Sequence, residues 1–145
     1  MRVSMKSDYA LRAMIELALA HGSRTLQSSE IAARRGIPES YLEQLLTALR
    51  KAGLVTSVRG PQGGHALAAH PSRITAGDVV RVMEGPILVM DCLQGQESCR
   101  VSRECGLQPL WAEVRSAVES VLDGITVEEL VARQQSRESQ VMYHI

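Results

Sequence analysis

The chain has 145 residues, enough for one domain or one domain with a protruding element, and 45% of them are hydrophobic, so a real core can form. No apolar run approaches the ~20 residues of a membrane span, and the start Met-Arg-Val-Ser-Met-Lys has no signal-peptide hydrophobic stretch, so a cytoplasmic protein without membrane attachment is expected. Net charge is zero, yet residues 1–69 carry nine Lys/Arg against five Asp/Glu, a net of +4, and residues 70–145 carry seven against eleven, a net of −4. Only the first half suits a polyanionic partner.

Aromatic residues make up 3% and Phe is absent, so the core must be aliphatic, which favours helices. Leu11, Met14, Ile15 and Ala18 recur at helical spacing and predict a helix from Ser7 to Ala20, stopped by Gly22. Ser28 reads as an N-cap for a short helix to Arg35, which Gly36 breaks. Pro38 opens the next helix, to about Ala52, with Gly53 at its end. A short helix, a glycine turn and a re-entering helix form helix-turn-helix grammar. In the last of these helices Leu42, Leu45, Leu46 and Leu49 share one face, and Ser40, Gln44, Thr47 and Lys51 lie opposite. Hydroxyls, an amide and a cation can read bases and grip phosphates. On its own the pattern reads better as an ordinary amphipathic helix with a solvated face.

The following segments decide between these. Residues 54–58 are strand-like, and Arg59-Gly60-Pro61-Gln62-Gly63-Gly64 leads to His65-Ala66-Leu67-Ala68, a hairpin with a glycine-rich tip. It is read as the wing of a winged helix, with Arg59 suited to a narrow minor groove. The tip lacks the Gly-Lys-Ser/Thr ending of a phosphate-binding loop. Thr75 caps a short helix over 76–83, ended by Gly85-Pro86, and 86–108 lacks periodicity. Pro109 starts a long helix to about Asp123 whose stripe of Trp111, Val114, Val118, Val121, Leu122 and Ile125 calls for a partner subunit. Thr126 and Glu129 form a capping box for a last short helix, Val127 to about Gln134.

The expected fold is mainly α with a small β-hairpin: a winged helix-turn-helix head over 1–85, a cysteine-bearing loop over 86–108, and a dimerisation helix with a C-terminal tail over 109–145. All three cysteines lie in that loop, as Cys92-x6-Cys99-x5-Cys105. This is neither a disulfide framework nor a zinc-finger spacing. Three clustered thiols suit a soft iron–sulfur cluster or a thiol–disulfide switch, and simply buried thiols are the plainer alternative. Asp91, Glu104 and Gln108 stand near enough in sequence to complete a cluster. No paired catalytic carboxylates, Ser/His/Asp set or nucleotide fingerprint argues for an enzyme, and the histidines read as surface residues.

Ser40-Tyr41-Leu42-Glu43-Gln44-Leu45, Leu49-Arg50-Lys51-Ala52-Gly53-Leu54-Val55, Arg59-Gly60-Pro61-Gln62-Gly63-Gly64, Lys6-x-x-Tyr9-Ala10 and Ile74-Thr75-Ala76-Gly77-Asp78-Val79-Val80 together resemble the Rrf2 family of bacterial regulators, of the IscR, NsrR and CymR type, over nearly the whole chain. The resemblance implies a homodimer joined at the long C-terminal helix and bound to a palindromic site on double-stranded DNA. It implies that Ser40, Tyr41 and Gln44 meet the major groove, that Glu43 tunes base choice, and that Arg59 enters the minor groove. In three-cysteine members it implies a cluster on Cys92, Cys99 and Cys105, with a 2Fe–2S form preferred here over 4Fe–4S. The histidine that IscR-like proteins place three residues after the third cysteine is Gln108 in this chain, so Asp8, which matches an NsrR-type aspartate, is the favoured fourth ligand. The ending Met142-Tyr143-His144-Ile145 and the stretch 75–87 resemble CymR-like regulators, which lack the triad. The leading expectation is therefore a cluster-sensing regulator, most readily a repressor, of iron–sulfur, iron or cysteine metabolism. The alternative is a cluster-free regulator of cysteine metabolism controlled by thiol oxidation or by a partner enzyme such as cysteine synthase docking an extended tail through Ile145.

Overall fold

The computed structural model describes residues 2–94 and 105–144. Among the described residues six helices and one hairpin follow in order: α1 Met5–Leu19, α2 Ser28–Arg35, α3 Glu39–Lys51, β1 Val55–Val58, β2 Gly64–Leu67, α4 Ala76–Glu84, α5 Gln108–Asp123 and α6 Val127–Tyr143. Two 310 turns, Pro71–Arg73 and Asp91–Gln94, flank α4. This is the mainly helical, winged arrangement expected.

The leucine face of α3 goes inside as its spacing requires: Leu42, Leu45, Leu46 and Leu49 are all buried. They meet Ala10, Met14 and Leu17 of α1, Ile31 of α2, Val55 and Leu67 of the hairpin, and Val79 and Met83 of α4. Gly36 ends α2 in the left-handed region at φ 62°, a conformation that favours glycine. Thr75 and Asp78 form a reciprocal capping box at the start of α4.

Three local expectations are corrected. Ser28 is the first residue of α2 and not its cap; the cap position is Gln27, whose side chain donates instead to the Gly63 carbonyl at 2.8 Å. Pro38 sits at the cap position of α3, one residue before the helix. The last helix is 17 residues long and runs through Met142 to Tyr143, so the tail before Ile145 is helical where an extended peptide was expected; Ile145 lies outside the described residues. Glu129–Arg133 at 2.8 Å and Gln134–Glu138 at 2.9 Å prolong it, i,i+4 pairs that support a helix lacking a strong apolar stripe.

α6 begins inside the core of the head. Val127 is fully buried, its amide donates to the Ile74 carbonyl, and Thr75 bridges to Thr126. α5 packs on α4, with Arg81 bonded to both carboxylate oxygens of Asp123, at 2.6 and 2.8 Å. Even so, no residue of α5 is buried, and Val121, Leu110 and the preceding Leu107 are exposed.

Candidate nucleic-acid interface and cysteine segment

Ser40, Glu43, Gln44 and Lys51 of α3 are exposed, opposite its buried leucines. Thr47 is half-buried and its hydroxyl donates to the Glu43 carbonyl at 2.8 Å, so it offers only lone pairs outward. Tyr41 lies between face and core, its ring edge-on to Tyr9 with centroids 6.0 Å apart. Glu43 accepts from the Ser28 hydroxyl at 3.2 Å, which fixes the carboxylate at the junction of α2 and α3.

The hairpin stands beside this face. β1 and β2 pair antiparallel with Val55 opposite Leu67 and Ser57 opposite His65. Leu26 forms a further bridge to His65 through two backbone bonds, 2.9 and 2.7 Å, and the Gln27 side chain holds the tip at Gly63. Arg59 and residues 60–62 project exposed beyond these ties. The turn is closed by the Gly63 amide on the Gly60 carbonyl at 2.9 Å. A β-carbon at Gly63 would fall on the Val58 carbonyl, a backbone atom that cannot swing away. Gly63→Ala should therefore displace the wing and weaken DNA binding, while the thermal transition of the head moves little; an unchanged DNA affinity would show that the turn tolerates the shift.

Sequence reasoning missed three residues here, His65, Ser57 and Arg50. His65, expected on the surface, is half-buried, and its Nδ1 meets the Ser57 hydroxyl at 2.8 Å. Burial holds its pKa below the ordinary histidine value, Arg50 adds to that, and Glu43 opposes it. The signal was strand alternation: 65 and 67 share a face, as do 55 and 57, and the inner members of each pair are core residues.

Cys92 lies in the second 310 turn and Cys105 just before α5; both are half-buried thiols not in a disulfide. Cys99 and Glu104 lie outside the described residues. Thiolates at 92 and 105 are the right donors for a soft iron site. Among the described residues no group of three His, Cys, Asp or Glu stands together as a metal site. Asp8, the favoured fourth ligand, lies on α1 and is paired with Arg12 at 2.8 Å, and Asp91 is exposed. No described helix is long and apolar enough to cross a membrane.

The family described as Rrf2, iron-dependent transcriptional regulator, matches residues 3–133. The chain belongs to the Rrf2 family. It is a DNA-binding transcriptional regulator, not an enzyme. Among Rrf2 relatives it is 41% identical to the HTH-type transcriptional regulator CymR of Bacillus subtilis over 145 residues, all of both chains. It is 40% identical over 131 residues to the regulator IscR of Aliivibrio salmonicida, which spans 90% of this chain and 77% of that one. The solved structure of CymR, the global cysteine regulator of B. subtilis, superposes with a TM-score of 0.78, covering 92% of this chain and 98% of that one. That of T. potens IscR does so at 0.73 with 37% identity, covering 99% and 96%.

Proposed function

We propose that this Rrf2 regulator acts as a homodimer that represses genes of cysteine metabolism and responds to its thiols or to a partner protein. The observation that carries the reading is likeness to a global cysteine regulator over the entire length of both chains, with the same winged head. The unburied stripe of α5, with Val121 exposed at 60%, supports a dimer joined there, since a helix face of this kind needs a second apolar surface. Ser40, Tyr41, Gln44 and Lys51 then enter the major groove of each half-site, Glu43 selects among bases by what it rejects, and Arg59 enters the adjacent minor groove. Arg59→Ala and Gln44→Ala should each weaken operator binding by about 1–3 kcal/mol. Gel-shift titration at fixed salt checks this, and loss of less than twofold in both would remove these residues from the interface.

A second reading keeps the head and places an iron–sulfur cluster on Cys92, Cys99 and Cys105. It is favoured by three cysteines within fourteen residues, two of them half-buried at the ends of the 95–104 segment. A bound cluster would supply a redox- and oxygen-sensitive charge at that segment. Anaerobic purification followed by iron and acid-labile sulfide counts separates the two. A colourless protein that refuses reconstitution yet binds its operator supports the cysteine regulator. Stoichiometric iron and sulfide support the cluster, the preferred form being 2Fe–2S. Tail docking on cysteine synthase would need residues 141–144 to leave α6, and truncation after Gln140 with unchanged capture of that enzyme would end the idea.

A further inference from the structure

If α3 lies in the major groove and Arg59 in the neighbouring minor groove, one DNA strand must cross the crevice between α3 and the hairpin. On the hairpin side of that crossing, His65 of β2 faces Ser57 of β1, and Arg50 of α3 is close enough for its charge to bear on the imidazole. We propose that His65, Arg50 and Ser57 form a phosphate clamp in this crevice, and that His65 takes up a proton from solvent when a DNA phosphate arrives. The proposal rests on the DNA-facing assignment of α3 and the wing.

Three observations support it. His65 is held in place, its backbone tied twice to Leu26 and its Nδ1 to the Ser57 hydroxyl at 2.8 Å, so the ring is positioned before DNA arrives. Arg50 is exposed, its charge bears on the His65 ring, and it is a permanent cation, so an anion is already favoured there. Among the described residues, the charges that bear on the ring are Arg50 and Glu43, both on α3; β1 contributes only the Ser57 hydroxyl and the Leu26 segment only backbone. In the free protein burial and Arg50 favour the neutral imidazole, with Glu43 working against them. A phosphate in the crevice reverses the balance, because its charge favours imidazolium and offsets Arg50. Binding then draws in a proton, so affinity must rise as pH falls.

The probe is mixed-sequence duplex DNA titrated against the full chain, since a phosphate contact needs no operator. Wild-type affinity is expected to rise roughly tenfold per protomer from about pH 8 to pH 6, one proton being linked to binding. His65→Gln should flatten that profile and lower the salt slope measured at about pH 6 by roughly 0.9 per protomer. His65→Lys should bind at about pH 8 nearly as wild type does at pH 6. Thermal unfolding of both variants checks that the head is intact. A flat wild-type profile, or a His65→Gln profile that overlays it, overturns the clamp, and the interface survives if Arg59→Ala still weakens binding. If Arg59→Ala and Lys51→Ala both bind the duplex like wild type, the interface assignment fails and the clamp with it.

Discussion

Glu16→Ala is expected to lower the unfolding free energy by about 3–5 kcal/mol. Glu16 sits on α1 with its side chain 7% exposed, bonded by Arg35 at 2.7 Å and Arg34 at 3.4 Å, both from α2. Arg35 is itself mostly buried and extends the network to the side-chain amide oxygen of Gln134 on α6 at 3.0 Å. Removing the carboxylate leaves a guanidinium with no counter-charge in a poorly hydrated place, which is the costly half of breaking a buried pair. Arg34, about half exposed, can turn to water and contributes little to the loss. Replacing Glu16 and Arg35 together by methionine should cost much less than Glu16→Ala alone, because no charge is then stranded. Urea unfolding of the three variants tests the argument. A loss below about 1 kcal/mol for Glu16→Ala would mean the pair behaves as a surface ion pair. Since the network joins α1, α2 and α6, its loss should also loosen the pose of α2 and α3 on DNA.

Leu49→Ala should cost about 2–5 kcal/mol. Leu49 is fully buried at the end of α3, and its carbonyl accepts the Leu54 amide as the chain turns into the hairpin. The cavity would open where α3, β1 and the core meet, so the variant should lose DNA affinity at temperatures where it is still folded. Differential scanning calorimetry together with a DNA titration below the transition reads both effects. A destabilised protein with wild-type affinity would show that the remaining leucines alone hold the pose of α3.

Much of the head was legible from local patterns. The spacing of Leu42, Leu45, Leu46 and Leu49 required one buried face. Gly36 and Gly53 marked the ends of α2 and α3 where the backbone has positive φ, 62° and 81°. Thr75 with Asp78 announced the capping box of α4. The sequence pattern ends α6 near Gln134 because residues 133–140 are all polar and carry no apolar stripe. Continuous helix survives there through side-chain pairs four residues apart and the lack of any glycine or proline from 127 to 144. Ser28 was assigned as a cap by residue type, but Gln27 holds the cap position while its amide is drawn to the wing.

What could be read along the chain is what depends on neighbours within a few residues: helix faces, stops, caps and strand alternation follow from fixed rise and turn per residue. The basic head, the exposed polar side of α3 and the glycine-tipped wing belong to that class. Three features required the folded molecule: the Glu16–Arg35–Gln134 network, the entry of Val127 into the head's core, and the tying of His65 to Leu26 within reach of the charges of Glu43 and Arg50. Their partners lie tens of residues apart, and no local periodicity encodes which faces of separate elements will meet. Burial of the aliphatic surfaces of α1, α3, α4 and the hairpin chooses those neighbours, and the charges and imidazole take their character from the company that burial leaves them.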